Sequence, residues 1–481
     1  MNMVHSHLLV FNTLQNEFKP FRDIWQAPSH LKLDQNRLKY SAIFRRFNGP
    51  LSDHGPTVGS QQEPIPMWIA DMDIPPCEDI LSAISRNLRT TYGYQSLDIG
   101  ESVAKRFERS APKNTRFKVE SVDVVDVASV IGAIDVALRT FCRSGEKVML
   151  LTPTYSPLSD AITNNGLKPL YVPVIQRPYI NREKHSEISS RDIGKKREQQ
   201  HGDKAMSIDL AALDKSASAF VICHPNNPTG TVLSAKEQGI IMDFCALHNI
   251  LLITDEVHSE FAFNSYNEPT LMPMFGAELD DKGEAQTKHN NSSPLPKIIH
   301  INSVSKAFNL ASIPGASFAI IKDRQTRETF ARAINTRHLN ASNLGKVALI
   351  AAYERGSAWL DNVKSALSFN RKLVVRFFEY YGLSVNYTMG KAGYFLWLDL
   401  SSFTTQSPEL GRMASRQERT SGEDSRCRFD YRPVTSIEEC VERGVIGNDG
   451  APFGAPHHVR LNLACHPAVI ETALQRLCFI Q

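Results

Sequence analysis

The sequence predicts an α/β protein built on a mostly parallel β-sheet with helices on both faces. Short apolar runs rich in β-branched residues recur and end in turn residues, as in EKVMLLTP (146–153) and NILLITDEV (249–257). Helical patterns lie between them, for example SAKEQGIIMDFCALHN (234–249), where Ser234 is a candidate N-cap. Apolar strands that alternate with helices are typical of a parallel sheet covered on both sides.

Composition and charge narrow the possible functions. The chain has 481 residues, enough for two domains, and its 42% hydrophobic and 22% charged residues are ordinary for a soluble globular protein. A net charge of +3 gives no reason to expect nucleic acid or membrane as a main partner, and no apolar run is long enough to span a membrane. Eight cysteines without a CxxC pair indicate reduced thiols rather than a metal site, so we expect a cytoplasmic protein.

Three polar stretches interrupt the alternating pattern and are interpreted as surface insertions. They mix both charge signs, lack apolar periodicity and cover residues 176–207, 277–297 and 404–426. The N-terminus has an apolar patch but neither a basic region nor a small-residue cleavage site, so it is interpreted as an arm rather than a signal peptide.

Polar side chains collect where the apolar runs end, which is where parallel sheets bind their ligands. The segments are PNNPTG (225–230), TDEVHSE (254–260) and NSVSK (302–306). No G-x-G-x-x-G motif opens a helix after the first strand, and no Walker A loop is present, so a dinucleotide or P-loop site has little support. A lysine, a carboxylate, an amide and hydroxyls at strand ends are instead the groups that bind pyridoxal phosphate.

An ordered set of motifs resembles the fold-type I pyridoxal-phosphate enzymes of the class I/II aminotransferase superfamily, and within it the cystathionine β-lyase (C–S lyase) branch typified by MalY and PatB. Besides the strand-end segments, the matching pieces are MWIADMDIPPC (67–77), TYGYQ (91–95), ASVIGAI (128–134), TPTYSPL (152–158), SVSKAFNLAS (303–312), AGYFLWLDL (392–400) and VRLNLACHP (459–467). Each is weak alone, but their order along the chain is specific. The N-terminal segment and the three insertions are not covered.

The resemblance implies the aspartate aminotransferase-like fold, with a large domain around a sheet of the seven-stranded type and a smaller C-terminal α/β domain. It places an N-terminal arm at residues 1–60, a segment of the small domain at 61–84, the large cofactor-binding domain at 85–345 and the small domain at 346–481. The site should lie between the domains and at the interface of a homodimer with shared active sites.

The resemblance also implies roles for single residues. Lys306 would bind the cofactor and act as the catalytic base, because burial and nearby positive charge lower the pKa of an amine. Asp255 would keep the pyridine nitrogen protonated, and Asn227 would donate a hydrogen bond to the phenolic oxygen. Tyr155 would stack on the ring, whereas Glu256 is interpreted as structural.

The phosphate would be held by a helix start, by hydroxyls and by a tyrosine from the neighbouring subunit. The predicted donors are Ser129, Val130, Ile131, Ser303, Ser305 and, across the dimer interface, Tyr94, with Tyr92 as a weaker candidate for that last role. Many aminotransferases also carry an arginine eight residues after the lysine. Here that position is Pro314, so the other donors must suffice.

The substrate's α-carboxylate would be clamped by Arg460, since a planar guanidinium fits a carboxylate with two hydrogen bonds. The backbone around Ala70 would close on the same carboxylate. The neighbouring Trp68, Asp71 and Asp73 mark the branch, with packing and capping as the alternative interpretation.

Histidines are the informative departures from ordinary aminotransferases. His258 stands where many of them have a tyrosine, and it either hydrogen-bonds the cofactor or lies behind the groups that do. His457 and His458 precede the clamp arginine and are expected to be exposed.

The branch resemblance favours β-elimination on cystathionine or a related cysteine S-conjugate, releasing a thiol, pyruvate and ammonia. An aminotransferase is the alternative, because the two reactions share every step up to removal of the Cα proton. A third possibility is a pyridoxal-phosphate-binding regulator that has kept the fold.

Overall fold

A computed structural model describes residues 8–25, 37–39, 64–91, 93–110, 118–176, 206–264, 266–270, 275–276, 297–403 and 430–480. The strands are β1 (Ile65–Pro66), β2 (Val124–Val127), β3 (Lys147–Thr152), β4 (Lys168–Gln176), β5 (Met206–Ile208), β6 (Ala217–Cys223), β7 (Leu251–Asp255), β8 (Ile298–Ser303), β9 (Ser317–Ile320), β10 (Tyr387–Thr388), β11 (Phe395–Asp399), β12 (Asp430–Tyr431), β13 (Val445–Ile446), β14 (Asn448–Asp449), β15 (His458–Asn462) and β16 (Phe479–Ile480). The α-helices are α1 (Leu9–Thr13), α2 (Gln15–Phe18), α3 (Glu78–Thr90), α4 (Gly100–Ser110), α5 (Val130–Phe141), α6 (Ser156–Asn164), α7 (Ala235–Leu247), α8 (Val304–Ala307), α9 (Arg324–Thr336), α10 (Asn343–Arg355), α11 (Ser357–Tyr380), α12 (Ile437–Glu442) and α13 (Pro467–Cys478).

The predicted fold class is confirmed by a large, mostly parallel sheet. Its eight strands have the order β2-β9-β8-β7-β6-β3-β4-β5. Neighbouring strands from β8 to β4 in this order are parallel, whereas β9 is antiparallel to both of its neighbours and β5 is antiparallel to β4. The eighth strand exceeds the expected seven, because both ends of the predicted insertion 176–207 pair with each other as β4 and β5.

Helices cover both faces of this sheet and bury the alternating side chains of its strands. On one face, residues such as Val148, Val221 and Ile253 pack with α5, α6 and α9. On the other face, Phe220 and Leu252 pack with α7. The strands are therefore apolar on both sides, which accounts for the near-continuous hydrophobic runs in the sequence.

Several helices begin at side chains whose capping role can be predicted from the sequence. The predicted cap at Ser234 is confirmed, because its hydroxyl accepts from the amide of Glu237, while the Glu237 carboxylate accepts from the amide of Ser234. The side chains of Ser129, Asp323 and Ser342 accept from the amide three residues later and so cap α5, α9 and α10.

A second sheet is antiparallel and comes from the C-terminal part of the chain. Its four strands have the order β10-β11-β15-β14. Nearby, β1 pairs in parallel with β13, so the segment that begins at residue 64 joins the C-terminal strands. This pairing supports the assignment of that segment to the small domain, and the domain limits given above stay a prediction.

The N-terminal arm packs onto the C-terminal part of the molecule. Val10 and Phe11 of α1 are buried, and their amides donate to the Glu471 carboxylate at 3.0 and 2.7 Å. Phe18 packs against Phe369 of α11, so the described part of the arm (residues 8–25) completes the core there. The first amides of a helix have no acceptor within it, and the buried Glu471 carboxylate accepts their hydrogen bonds in α1.

The insertions at 277–297 and 404–426 fall almost entirely outside the described residues, as does the middle of the insertion at 176–207. The seven cysteines within the described residues are free thiols. Among the helices of the described ranges, none combines the length and apolar character needed to cross a membrane.

The two sheets are joined by direct backbone contacts at Gly230, the last residue of the PNNPTG turn. The amides of Lys391 and Ala392 donate to the Gly230 carbonyl at 2.9 and 3.1 Å. Gly230 has a φ of +67°, and a Cβ there would collide with the carbonyl oxygens of Met389 and Ala392. The turn that carries Asn227 is therefore held by the loop that follows β10.

Arg371 of α11 secures this junction from behind. Its guanidinium is fully buried, donates to the carbonyls of Met389 and Gly390 at 3.1 and 2.6 Å, and donates to Asn267 at 2.8 Å. When a buried charged donor is removed, the carbonyls that accepted its hydrogen bonds lose them, and no water takes the place of the donor.

We expect Arg371→Met to lower the free energy of unfolding by about 3 kcal/mol, because it removes the charged donor to the Met389 and Gly390 carbonyls. Urea denaturation of the purified protein measures this change. The control is Arg376→Met on the same helix, where the side chain is exposed, and it should change the stability little. Equal stability of the two variants would contradict the role given to Arg371.

Candidate active site

The predicted site residues come together at the carboxyl ends of neighbouring strands of the large sheet. Tyr155 follows β3, Asn227 follows β6, Asp255 ends β7, and Lys306 lies in α8 directly after β8. Strands β8, β7, β6 and β3 are adjacent and parallel. Arg460 reaches this edge from β15 of the second sheet, so the site lies between the two sheets.

Lys306 lies in an environment that favours its neutral amine. Burial lowers its pKa below the ordinary lysine value, and the positive charge of Arg460 lowers it further, against the opposing effects of Asp255 and Asp71. Its side chain still has partial solvent access. An amine with a lowered pKa can act as a nucleophile and then as a base near neutral pH.

Asp255 is a buried carboxylate at the end of β7. Burial raises the pKa of this carboxyl to about 6, although the amide of Val257, which donates at 3.2 Å, and the charge of Lys306 both lower it. A cationic N–H placed beside it would stabilise the ionised form.

The adjacent Glu256 is structural, as predicted. It is buried, accepts from the Thr254 hydroxyl at 2.7 Å and lies 2.8 Å from Nδ1 of His300.

Arg460 is buried and held by neutral groups. One terminal nitrogen donates to Oδ1 of Asn227 at 2.8 Å, and the other donates to the Trp68 carbonyl at 3.0 Å. The guanidinium lies over the rings of Phe395 and Phe453, at 4.2 and 5.2 Å from the ring centroids. Burial lowers the pKa of Arg460 to about 10, and its Nε has no hydrogen-bond partner among the described residues. A ligand carboxylate is the natural partner for such a cation.

Asn227 faces the site with a defined orientation. Because its Oδ1 accepts from Arg460, its amide N–H groups remain as donors for an oxygen in the site. Tyr155, at the start of α6, is 36% exposed, and burial of its hydroxyl raises its pKa, with opposing smaller effects from Arg460, which lowers it, and Asp255, which raises it. The ring therefore stands near both groups with a face available for stacking.

Three of the predicted phosphate donors, Ser129, Val130 and Ile131, lie at the start of α5. The Ser129 hydroxyl accepts from the amide of Gly132 at 3.1 Å, whereas Val130 and Ile131 begin the helix, where amides have no acceptor within it. Pro314 lies near this turn, because the amide of the next residue, Gly315, donates to the Ala128 carbonyl. The position that carries arginine in many aminotransferases is thus close to the helix start but offers no side-chain donor.

The two serines beside the lysine differ in their surroundings. The Ser303 hydroxyl is buried, donates to the Ala316 carbonyl at 2.7 Å and accepts from the Ser305 amide at 3.0 Å. Its proton is therefore used inside the protein, and a hydrogen bond to phosphate would require the hydroxyl to turn. Ser305 is only half-buried. The phosphate roles of both serines stay predictions.

The remaining predicted residues fall into distinct places. The side chain of Tyr94 is fully exposed, so within this chain it does not reach the site, while Tyr92 lies outside the described residues. Ala70 belongs to the loop whose Trp68 carbonyl meets Arg460. His457 is exposed, and His458 is half-buried because its ring stacks on Trp397 at 4.9 Å.

His258 is buried beside Phe395 and Tyr394. Burial lowers its pKa to about 3, with further lowering by the charges of Lys306 and Arg460, so the imidazole is neutral. Its Nδ1 and the Tyr394 hydroxyl are buried without hydrogen-bond partners among the described residues. Both interpretations of His258 given above therefore stay predictions.

Sequence reasoning missed two asparagines that hold the site together. Asn309 and Asn462 both donate hydrogen bonds to the loop that carries Ala70. A sequence signal existed, since Asn309 follows Lys306 by three residues and Asn462 follows Arg460 by two. Their role depends on contacts with a distant part of the chain, which spacing alone does not reveal.

The side chains present fit pyridoxal phosphate. The lowered pKa of Lys306 favours a neutral amine, which can react with the aldehyde. The buried Asp255 can accept from a ring N–H, and the amide of Asn227 can donate to a phenolic oxygen. The amides at the start of α5 can bind a phosphate. The partnerless Nε of the buried Arg460 leaves one further position for an anionic substrate group.

Comparison with known proteins gives a consistent result. The family described as "Aminotransferase class I and II" matches residues 59–477. The chain is 24% identical over 421 residues to cystathionine beta-lyase PatB of Bacillus subtilis, covering 86% of this chain and 91% of that one. It is 24% identical over 358 residues to protein MalY of Escherichia coli, covering 74% and 81%.

Among solved structures, the PLP-bound C-S lyase from Staphylococcus hominis superposes with a TM-score of 0.64 at 22% identity, covering 95% of this chain and 96% of that one. At this identity the likeness shows a shared fold.

The raised pKa of Asp255 predicts a pH-dependent stability in protein stripped of any cofactor. Because the folded-state pKa, about 6, is above the ordinary value, the folded protein takes up a proton first as the pH falls. Wild type should therefore gain about 2 kcal/mol of stability between pH 8 and pH 4 from this group, and Asp255→Asn should lack that gain.

Thermal unfolding across this pH range measures the difference between the two proteins. Asp255→Asn should be the more stable protein at pH 8, with the advantage disappearing near pH 4. Asp214→Asn, which removes an exposed carboxylate, is the control and should show no such advantage at pH 8. Parallel pH profiles for wild type and Asp255→Asn would refute the assignment of an unfavourable buried charge.

Proposed function

The chain belongs to the class I and II aminotransferase family, and we propose that within it the protein is a carbon–sulfur β-lyase acting on cystathionine or related cysteine S-conjugates. The protein is an enzyme, and its cofactor is pyridoxal 5′-phosphate. The substrate would be split by α,β-elimination into a thiol, pyruvate and ammonia.

The buried Arg460 is the observation that supports an amino acid substrate most directly. It is a cation that donates to two neutral groups, the Asn227 side chain and the Trp68 carbonyl, and it lies close to Lys306. Burying a charge without a counter-charge is costly unless a ligand supplies one. An α-carboxylate would satisfy Arg460, including its partnerless Nε, and would orient the substrate with Cα towards the Lys306 amine.

When bound, the cofactor supplies an aldehyde that reacts with amines and a ring that accepts an electron pair. Asp255 would hold a proton at the ring nitrogen, and its burial would strengthen that interaction. Asn227 would donate to the phenolic oxygen, and Tyr155 would support one face of the ring. The start of α5 and Ser305 would hold the phosphate.

Lys306 performs the proton transfers. Its lowered pKa favours the neutral amine, which can remove the Cα proton of the bound substrate. In the elimination, the Cα–H and Cβ–S bonds break and a Cα=Cβ bond forms, while the sulfur leaves as a thiolate. The released 2-aminoacrylate takes up water and yields pyruvate and ammonia.

An aminotransferase is the alternative within the same site, because both reactions begin with the same proton removal at Lys306. Two relatives named as cystathionine beta-lyases, PatB of Bacillus subtilis and one of Corynebacterium glutamicum, align over most of this chain and favour the lyase. The family description itself favours neither outcome. A regulator that only binds the cofactor is the least supported, since Lys306, Asp255 and Arg460 are all present.

We further infer a homodimer in the cytoplasm. Tyr94 is fully exposed and too far out to serve its own site, as a residue that reaches into a neighbouring subunit would be. The described cysteines are free thiols, which suits a reducing compartment.

The lyase proposal predicts continuous turnover without an acceptor. Purified protein given L-cystathionine and no 2-oxo acid should release pyruvate, ammonia and thiol for many turnovers. Lys306→Ala should lose this activity by at least about a thousandfold, because the catalytic base is removed. A coupled pyruvate assay and a thiol assay on the same sample measure both products.

A different time course would contradict the lyase proposal and support the aminotransferase. In that case the reaction would stop after one equivalent of cofactor and resume when a 2-oxo acid is added. A protein that binds the cofactor but does neither, with any S-conjugate tested, would support the regulator.

Shared active sites predict complementation between two inactive variants. Tyr94→Ala should weaken cofactor binding in the partner's site, whereas Lys306→Ala inactivates its own site. Unfolding and refolding the two variants together should restore activity, since a mixed dimer contains one site with neither defect. Each variant refolded alone is the control, and no recovery in the mixture would argue against Tyr94 serving a neighbouring subunit.

A further inference from the structure

Residues 68–73, named here the substrate loop, form one wall of the carboxylate site and have no secondary structure of their own. The Trp68 carbonyl accepts from Arg460 at 3.0 Å. Asn462 donates to the carbonyls of Ile69 and Asp71 at 2.7 and 2.9 Å. One end of the loop is thus fixed to β15, the strand that carries the clamp arginine.

The other end of the substrate loop is fixed by Asn309, which lies just beyond α8 and its lysine. The Asn309 side chain accepts from the Met72 amide at 3.0 Å, donates to the Met72 carbonyl at 3.0 Å and donates to Oδ1 of Asp71 at 3.1 Å. Asn309 has a φ of +56°, a conformation that asparagine and glycine adopt most readily. A single side chain therefore ties the substrate loop to the segment that carries Lys306.

The N-terminal segment Arg37–Lys39 adds a third hold on the same loop. The Arg37 guanidinium lies 2.8 Å from Oδ1 of Asp71, donates to the Met72 carbonyl at 3.0 Å and lies 3.3 Å from Oδ1 of Asp73. Lys39 is buried and lies 2.8 Å from Oδ2 of Asp73. Its carbonyl accepts from the Trp68 indole at 3.2 Å.

We propose that Asn309 and Arg37 are positioning residues that hold the substrate loop against Lys306 and Arg460, and so set the affinity for the substrate's α-carboxylate. Asp71 is the point where they meet, because Oδ1 accepts from both. This inference rests on the proposed function of the same site and adds two residues outside its chemistry.

The energetic reason is preorganisation. The loop must present its backbone at the carboxylate site while Arg460 keeps its contact with the Trp68 carbonyl. A loop without regular structure loses conformational entropy when it is fixed, and that cost adds to the cost of binding if the fixing occurs only with substrate. Asn309 and Arg37 fix it beforehand, so their loss should weaken substrate binding more than it slows the chemical step.

The test compares Asn309→Gly with wild-type holoenzyme. Glycine keeps the positive φ without strain and removes only the side-chain hydrogen bonds. The matched control is Asn249→Gly, another asparagine at positive φ (+52°), exposed beyond the end of α7. The probe is S-methyl-α-methylcysteine, which carries the α-amino and α-carboxylate groups but lacks the Cα proton that both elimination and transamination remove.

Binding of the probe, followed by the change in cofactor absorbance, should weaken by about tenfold or more in Asn309→Gly, as expected for the loss of several hydrogen bonds. The dissociation constant of the cofactor should stay within about twofold of wild type. In turnover assays KM should rise more than kcat falls. Asn249→Gly should match wild type in every measurement.

Arg37→Met provides a second variant in case Asn309→Gly folds poorly. It should weaken probe binding in the same direction. The double variant should lose less than the product of the two single effects, because both side chains hold the same Asp71 oxygen. Probe affinity equal to wild type in either single variant, or a uniform loss of cofactor and probe affinity together, would overturn the proposal.

Failure of the proposed function would look different. If wild type binds the probe but releases no pyruvate from cystathionine, the lyase assignment fails while the positioning test can still be completed. If wild type does not bind the probe at all, the assignment of the carboxylate site is wrong, and both the proposed function and the positioning proposal are contradicted.

Discussion

The buried guanidinium of Arg460 forms no ion pair with a carboxylate in the part of the chain that the structure describes, and the rest of the site depends on it. Its two terminal nitrogens bind Asn227 from the large sheet and Trp68 from the substrate loop, so one side chain links three separate parts of the chain. The rings of Phe395 and Phe453 stabilise the cation in part, because they offer their negative faces. They do not replace a counter-charge, and the protein therefore holds a site that is complete only with an anion.

The same charge shapes its neighbours. It contributes to the lowered pKa of Lys306 and of His258, and it fixes the amide of Asn227 so that the N–H groups are left for a ligand. Asp255 is a buried acid, and burial raises its pKa and so favours its neutral form. Amine, acid and guanidinium are each unfavourable in the protein by itself, a pattern typical of sites in which stability is sacrificed for function.

Membership in the class I and II aminotransferase family leaves the outcome of the reaction open, for a physical reason. The groups that bind the carboxylate and remove the Cα proton are common to elimination and transamination. The outcome depends on whether Cβ carries a leaving group and on where the proton is returned. Those features belong to the substrate's side chain and to its pocket, whereas Lys306, Asp255 and Arg460 act on the part that all amino acids share.

Local patterns in the sequence predict the α/β class and the strand-end position of the site: apolar runs of strand length, the serine cap of α7, and polar residues at strand ends. The roles of Lys306, Asp255 and Arg460 were implied by the resemblance to a known family, because Arg460 lies within β15 and follows no such pattern. The eighth strand was not visible, because its pairing with β4 spans residues 177–205, which carry no strand pattern. Tertiary structure alone decided that the Ser303 proton goes to Ala316, that Tyr94 points to solvent, and that Asn309 holds a loop more than two hundred residues away in sequence. Such contacts arise from the packing of distant segments, and a linear pattern contains the residue types but not the partners that packing gives them.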